Sequence, residues 1–365
     1  MANIIDYIEW RGDLSFIQDP FNEIDNLILS RVSYFPFDKI IDSNEIVTLQ
    51  ELYKRFEKID KTAVKVLQEE DLDLFPALAN SNRFGGIFLK KFINKKDKKQ
   101  EKQFSAITII LPDGTTYISY RGTDNTLIGW KEDFNMSFMT LVPAQTDAAN
   151  YLNEIASQTT GNLRIGGHSK GGNLAVYAAA FCNENIRDRI IEVYNNDGPG
   201  FFEEIIETEN YKRILPKIHT YTPQTSIFGR MLNHEEQYTV VESTETGLYQ
   251  HSLYSWQVIG KKFVEMQDVT KQSEYIDKTL KTWLKKVDAE QRKKFWLAVY
   301  EILSSTNAET ISQINENKLA NYKKIFDTYK NLDEESKEVL NQTIKFLLNT
   351  AKDNIKNDKQ KQKWL

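Results

Sequence analysis

One eleven-residue string constrains the fold more than any other: Leu163-Arg-Ile-Gly-Gly-His-Ser-Lys-Gly-Gly-Asn173. It joins a short apolar strand pattern to an alanine-rich helix pattern over Asn173–Phe181. A strand, a sharp turn and a helix in that order form the heart of a βαβ unit, which needs a parallel sheet covered on both faces. Within the string, Gly167-His168-Ser169-Lys170-Gly171 fits G-x-S-x-G. That spacing suits a nucleophile elbow, where a serine occupies a strained strand-to-helix turn and small residues on either side let strand and helix approach. The helix N-terminus at Ser169 also favours negative charge developing there. Other phosphate-binding loops fail on order. A Walker A loop needs Gly-Lys followed by Ser or Thr, whereas Lys170 follows the serine, and no G-x-G-x-x-G is present. The bland alternative is a glycine-rich turn that holds a serine by chance.

The flanking sequence predicts an α/β fold. The first ninety or so residues read as helical, including a long helix over Glu45–Glu70 with apolar residues at helical spacing. Phe104–Ile110 and Tyr117–Tyr120 read as strands joined through Pro112-Asp113-Gly114. Helices are then expected over Pro143–Ser157, Asn173–Phe181 and Glu203–Ile214, alternating with strands Leu163–Ile165, Ile190–Tyr194, Ile218–Tyr221 and Tyr238–Glu242. Beyond about Val269 strands stop. Helical patterns continue from Tyr275 through an Asp288…Gln291 cap, then over about Glu309–Tyr329 and Glu334–Ala351. With a prior of about 150 residues per domain, the expected division is 1–268, a sheet domain with a helical N-terminal segment, and 269–365, a helical C-terminal appendage acting as a cap or an interaction bundle.

A serine nucleophile needs a base, and the chain has four histidines: His168, His219, His234 and His251. On this architecture the order is serine, acid, histidine. His168 shares the elbow and falls out; His219 lies mid-strand and reads as a sheet-face residue. His234 sits in a surface-type loop and is held in reserve. His251 follows the last strand and its turn, and is the expected base. Asp197 ends the strand after the elbow helix, at the sheet edge where catalytic side chains gather, and could orient His251. Asp197-Gly-Pro-Gly is also good turn chemistry. Thr222-Pro-Gln-Thr-Ser226, after the next strand, offers no carboxylate. The Lys170 N–H and Thr123, in Tyr120-Arg-Gly-Thr-Asp124, are the expected oxyanion donors.

Composition narrows the setting. A single cysteine, Cys182, excludes an internal disulfide and a CxxC site. Scattered histidines with no H-E-x-x-H leave little for a metal, and no cofactor is expected. The net charge of −5 argues against nucleic acid as a partner. The lysine-rich stretches Asn94–Gln103 and Lys352–Lys363 read as a solvated loop and a frayed terminus. The N-terminus lacks a signal-peptide pattern and no apolar run approaches the ~20 residues of a bilayer span. A cytoplasmic protein without stable membrane insertion is the simplest expectation.

Tyr120-Arg-Gly-Thr123, Trp130, Asp133 and Gly167-His-Ser-Lys-Gly-Gly-Asn-Leu-Ala175 resemble the class 3 lipase branch of the α/β-hydrolases. Together with Asp197-Gly-Pro-Gly-Phe201, Pro223-Gln-Thr-Ser226 and Gln250-His251…Ser255-Trp256, they look more narrowly like the bacterial lipase-like family named after a maternal-brain-expressed gene. Asn3-Ile-Ile-Asp-Tyr7…Asp19-Pro-Phe-Asn22…Asp25 is similar to that family's opening pattern. The resemblance runs to about Trp256 and implies an α/β-hydrolase fold with a mostly parallel central sheet. In class 3 lipases the acid follows a later strand, where this chain has Thr222–Ser226, so the carry-over reaches Ser169, Thr123 and His251 more directly than Asp197.

The resulting expectation is a serine hydrolase of carboxylesterase or lipase type, acting on a small acyl ester or lipid-like substrate. Ser169 would attack, His251 would move the proton, Asp197 would orient His251, and Thr123 with Lys170 would hold the oxyanion. The alternatives are a binding or regulatory protein on an impaired hydrolase scaffold, and a thioesterase or acyltransferase using the same nucleophile.

Overall fold

The computed structural model describes residues 2–361 apart from 43–44, 61–63, 65, 98, 100–101, 125 and 309–317. By packing, the chain forms two units. The first comprises Met1–Lys95, Phe104–Gly122 and Pro143–Val269; the second comprises Lys96–Gln103, Thr123–Val142 and Thr270–Leu365.

Among the described residues the sheet has nine strands in the order β1-β2-β3-β4-β5-β6-β7-β8-β11. They are β1 (Ile46–Thr48), β2 (Phe88–Asp97), β3 (Lys102–Ile110), β4 (Thr116–Tyr120), β5 (Leu163–His168), β6 (Ile190–Asn196), β7 (Ile218–Pro223), β8 (Tyr238–Val241) and β11 (Glu265–Met266). From β4 to β8 every pairing is parallel; β1–β2, β3–β4 and β8–β11 pair antiparallel. A two-stranded ribbon, β9 (Val258–Ile259) and β10 (Lys262–Phe263), precedes β11.

Strand alternation divides the core of this unit between two faces. Ile107, Ile109, Tyr117 and Tyr194 join the cluster formed with the N-terminal helices α1 (Ile4–Arg11), α2 (Glu23–Val32), α3 (Leu49–Phe56) and α4 (Asp71–Asn80). Phe104, Ala106, Ile118, Ile165 and Val193 join the cluster formed with α6 (Pro143–Ser157), α7 (Lys170–Phe181), α8 (Glu184–Arg187), α9 (Glu203–Ile206) and α10 (Glu209–Ile214). A mostly parallel sheet sandwiched this way, with a sharp serine turn between β5 and α7, is an α/β-hydrolase fold.

The opening pattern has a plain structural meaning. Asn3 with Asp6 and Asn22 with Asp25 are reciprocal capping boxes that start α1 and α2. Arg31 on α2 then grips Asp71 on α4 with two bonds of 2.6 Å, both side chains being buried. The Tyr254 hydroxyl donates to the same carboxylate at 2.7 Å.

The long helix expected over Glu45–Glu70 is not present. Ile46, Val47 and Thr48, two of them apolar and all β-branched, pair with Lys90, Leu89 and Phe88 instead. Thr48 then caps the eight-residue α3, which stops at Phe56. The remainder of that expectation falls partly outside the described residues. The lysine-rich loop is also shorter than expected, since β2 runs on to Asp97 and β3 begins at Lys102. Glu203–Ile214 is two short helices, the second started by a Thr208 cap.

In the second unit α11 (Lys271–Lys286), α12 (Ala289–Ser304), α13 (Lys318–Asn331) and α14 (Glu334–Lys361) pack around a core of Trp283, Phe295, Ala298, Leu332 and Leu340, and α5 (Leu127–Asn135) belongs to the same unit. Asp288 caps α12 through the Gln291 N–H at 2.8 Å. Phe134 of α5 stacks on Trp296 of α12 with ring centres 4.0 Å apart. The Trp296 indole N–H donates to Ser137 at 2.7 Å.

Candidate active site

His168 at the end of β5 pairs in register with Asn196 at the end of β6. Ser169 and Asp197 each follow by one residue, so neighbouring strands deliver both to the same C-terminal edge. Each turns out of the ladder with positive φ, 58° and 54°. Their N–H groups still bond across, Ser169 to the Asn196 carbonyl at 2.9 Å and Asp197 to that of Tyr221 at 2.8 Å. Ser169, with ψ −135°, is held in a conformation that costs an L side chain about 1–3 kcal/mol. The elbow needs its glycines for close approach: a Cβ on Gly167 would overlap Gly171, and one on Gly171 would overlap the Tyr120 carbonyl. Ser169 occupies the N-cap position of α7, but its side chain makes no capping bond.

Asp197 is wholly buried, and its carboxylate is surrounded by donors. Oδ1 accepts from Ser226 Oγ at 2.5 Å, Thr222 Oγ1 at 3.0 Å and the Gly229 N–H at 3.2 Å. Oδ2 lies 2.6 Å from His251 Nδ1. Four partners replace the water that burial removes, which is what lets a carboxylate stay at this depth. The segment Thr222–Ser226, which offers no acid of its own, thus supplies two hydroxyls to the acid on the neighbouring strand. Nothing in the sequence marks that role, because a hydroxyl donor has no spacing signature.

His251 ends a short 3-10 turn, Gly247–His251, and its side chain is 22% exposed. Its ring lies 4.4 Å from the ring of Phe228 and 4.4 Å from that of His168, centre to centre. With Nδ1 donating to Asp197, Nε2 is the nitrogen that carries the lone pair. His168, which precedes the serine, is buried and has its Nε2 2.8 Å from the backbone carbonyl of His251. Its Nδ1 is 3.3 Å from the Tyr34 hydroxyl. Burial first, and then the positive electrostatic surroundings that include Arg31, hold the His168 imidazole well below its ordinary range.

The other histidines sit elsewhere. His234 Nδ1 is 2.9 Å from Glu236 Oε1. Glu236 also accepts from Thr220 Oγ1 at 2.7 Å and the Tyr211 hydroxyl at 2.8 Å. Burial alone would raise this carboxyl, but His234 and the Thr220 hydroxyl bring it down to about 2. His219 is exposed and stacks on Tyr194 with ring centres 5.1 Å apart.

Of the expected oxyanion donors, Lys170 is buried and is the first residue of α7. Thr123 belongs to the second unit, where its hydroxyl donates to Asp133 Oδ1 at 2.6 Å. The Gly122 N–H is engaged by the Tyr34 hydroxyl at 2.9 Å. Among the described residues, no cluster of His, Cys, Asp and Glu could hold a metal ion, and no helix is long and apolar enough to cross a membrane.

Comparison with known proteins adds a family. No curated protein matches the sequence. Among solved structures, a crystal structure of M37 lipase is similar at 14% identity and a TM-score of 0.37, over 64% of this chain and 83% of that one. The Mbeg1-like family model matches residues 78–301, more than half of the chain and a span that contains Ser169, Asp197 and His251. The chain belongs to the Mbeg1-like family.

Proposed function

We propose that the protein is a serine hydrolase that cleaves a small or lipid-like acyl ester through an acyl-enzyme. The observation that carries this reading is the 2.6 Å contact between His251 Nδ1 and the wholly buried Asp197, next to a strained serine at a strand-to-helix turn. Ser169 Oγ attacks the acyl carbonyl while His251 Nε2 takes its proton, and Asp197 stabilises the imidazolium. The tetrahedral oxyanion is held by the Lys170 N–H at the start of α7. Its collapse expels the alcohol, which receives the proton from His251. Water, deprotonated by the same imidazole, then releases the acid and returns the proton to Ser169.

Hydrolysis of short-chain p-nitrophenyl esters tests the reading. The wild-type chain is expected to turn over and Ser169→Ala to fall by about 10³-fold or more. Equal rates in both would contradict the proposal and favour a scaffold that only binds.

A further inference from the structure

The hydrolysis just proposed depends on how His251 is held against Ser169, and the backbone of His251 has an unusual partner. His168 Nε2 reaches the His251 carbonyl at 2.8 Å, so Nε2 carries the proton and Nδ1 is the acceptor. The Tyr34 hydroxyl faces that Nδ1 at 3.3 Å and the His168 carbonyl at 3.3 Å. It is itself oriented by the Gly122 N–H, donated at 2.9 Å. The His251 carbonyl, which can only accept, sets this tautomer.

The same side chains are pinned from behind. The Arg31 guanidinium carbon stands 4.5 Å from the Tyr34 ring centre, and Arg31 is fixed by Asp71. Asp71 also takes the Tyr254 hydroxyl, three residues beyond His251. The turn that carries His251 is therefore tied at two points, to Asp71 through Tyr254 and to β5 through His168.

We propose that His168 is a positioning residue: steadied by Tyr34, it donates Nε2–H to the His251 carbonyl and so ties the base to the strand that ends in the nucleophile. The inference rests on the hydrolase reading for its kinetic consequence but not for its hydrogen bond. Chemistry supports a neutral imidazole here over a charged one. The groups facing it are Tyr34 and Arg31 from α2 and the residues that follow it, and His251 with Asp197 behind it; a second cation beside Arg31 would be repelled. His168 does not touch substrate and moves no proton. Its contribution is register, and a displacement of about 1 Å at a reacting pair can cost about 100-fold in rate.

The test uses the full chain with selectively labelled histidines and three variants, His168→Phe, His168→Gln and Tyr34→Phe. In the wild type the His168 imidazole is expected to remain the neutral Nε2–H form as the pH falls through the range in which an ordinary histidine takes up a proton. His168→Phe is expected to lower kcat for p-nitrophenyl butyrate by about 10- to 100-fold with KM little changed. His168→Gln, whose Nε2 can donate from nearly the same place, should recover most of the loss. Tyr34→Phe should cost a smaller factor in kcat.

Several outcomes overturn the proposal: an Nδ1–H tautomer, wild-type kcat in a folded His168→Phe, a loss expressed only in KM, or His168→Gln no better than His168→Phe. Should His168→Phe fail to fold, the imidazole spectrum and Tyr34→Phe decide. A wild-type chain with no turnover but a neutral Nε2–H His168 would contradict the hydrolase reading and leave the tether standing.

Discussion

His251 Nδ1 lies 2.6 Å from Asp197 Oδ2, a bond between a partly exposed imidazole and a carboxylate with no solvent exposure. The carboxylate fixes which ring nitrogen is protonated, and so which nitrogen would take the proton of Ser169 in the proposed reaction. Asp197→Asn keeps the volume but presents an amide that can donate to Nδ1 and favour the wrong tautomer. A loss of about 10³- to 10⁴-fold in kcat is expected, against little change in the unfolding midpoint. Ester turnover and a denaturant titration on the same preparation check it.

The two histidine candidates for the base separate cleanly. His251→Ala should cost at least about 10³-fold in kcat/KM. His234→Ala should stay within about ten-fold of wild type, because His234 is paired with Glu236. It should instead lose about 1–3 kcal/mol of stability, since a buried carboxylate loses a partner. Steady-state kinetics with chemical denaturation distinguishes the two.

Ser226→Ala and Thr222→Val each remove a hydroxyl from Asp197 Oδ1. Each is expected to destabilise the fold by about 1–3 kcal/mol and to reduce kcat by a smaller factor than Asp197→Asn. Wild-type values of both in Ser226→Ala would remove these hydroxyls from the account.

The strained serine carries its own signature. Ser169→Gly and Ser169→Ala should be equally inactive, but glycine accepts a φ of 58° without a Cβ penalty. Ser169→Gly is therefore expected to unfold at the higher denaturant concentration of the two, by about 1 kcal/mol.

Acid should destabilise the fold in two stages. His168 has a folded pKa below its unfolded value, so the unfolded chain binds the extra proton; stability is complete above about pH 6.5 and falls below it, by up to about 1.4 kcal/mol per pH unit. Glu236, lowered to about 2, adds a loss of the same sign as pH drops below about 4.5. Denaturation followed against pH should show a shallower fall between pH 7 and 5 in His168→Gln than in wild type.

The sequence carried much of this, and unevenly. Ser169 was legible because an elbow imposes residue types at fixed offsets, and the alternating pattern from Tyr117 to Val241 marked the parallel sheet. His251 emerged from chain order among only four histidines. Asp197 could be reached only by elimination, because its partners Thr222, Ser226 and Gly229 are joined to it by the β6–β7 pairing rather than by spacing. Tyr34 was out of reach altogether: its role depends on contacts with Gly122 and His168, 88 and 134 residues away. The missing helix at Glu45 has the same cause, since Ile46–Thr48 owe their extended form to β2.

The most direct measurement of the central claim is reaction of the folded chain with a fluorophosphonate, read by intact mass and peptide mapping. The account expects one adduct per chain, on Ser169, lost in Ser169→Ala and strongly slowed in His251→Ala. A folded wild-type chain that takes no adduct, or a Ser169→Ala chain labelled as fast as wild type, would contradict it.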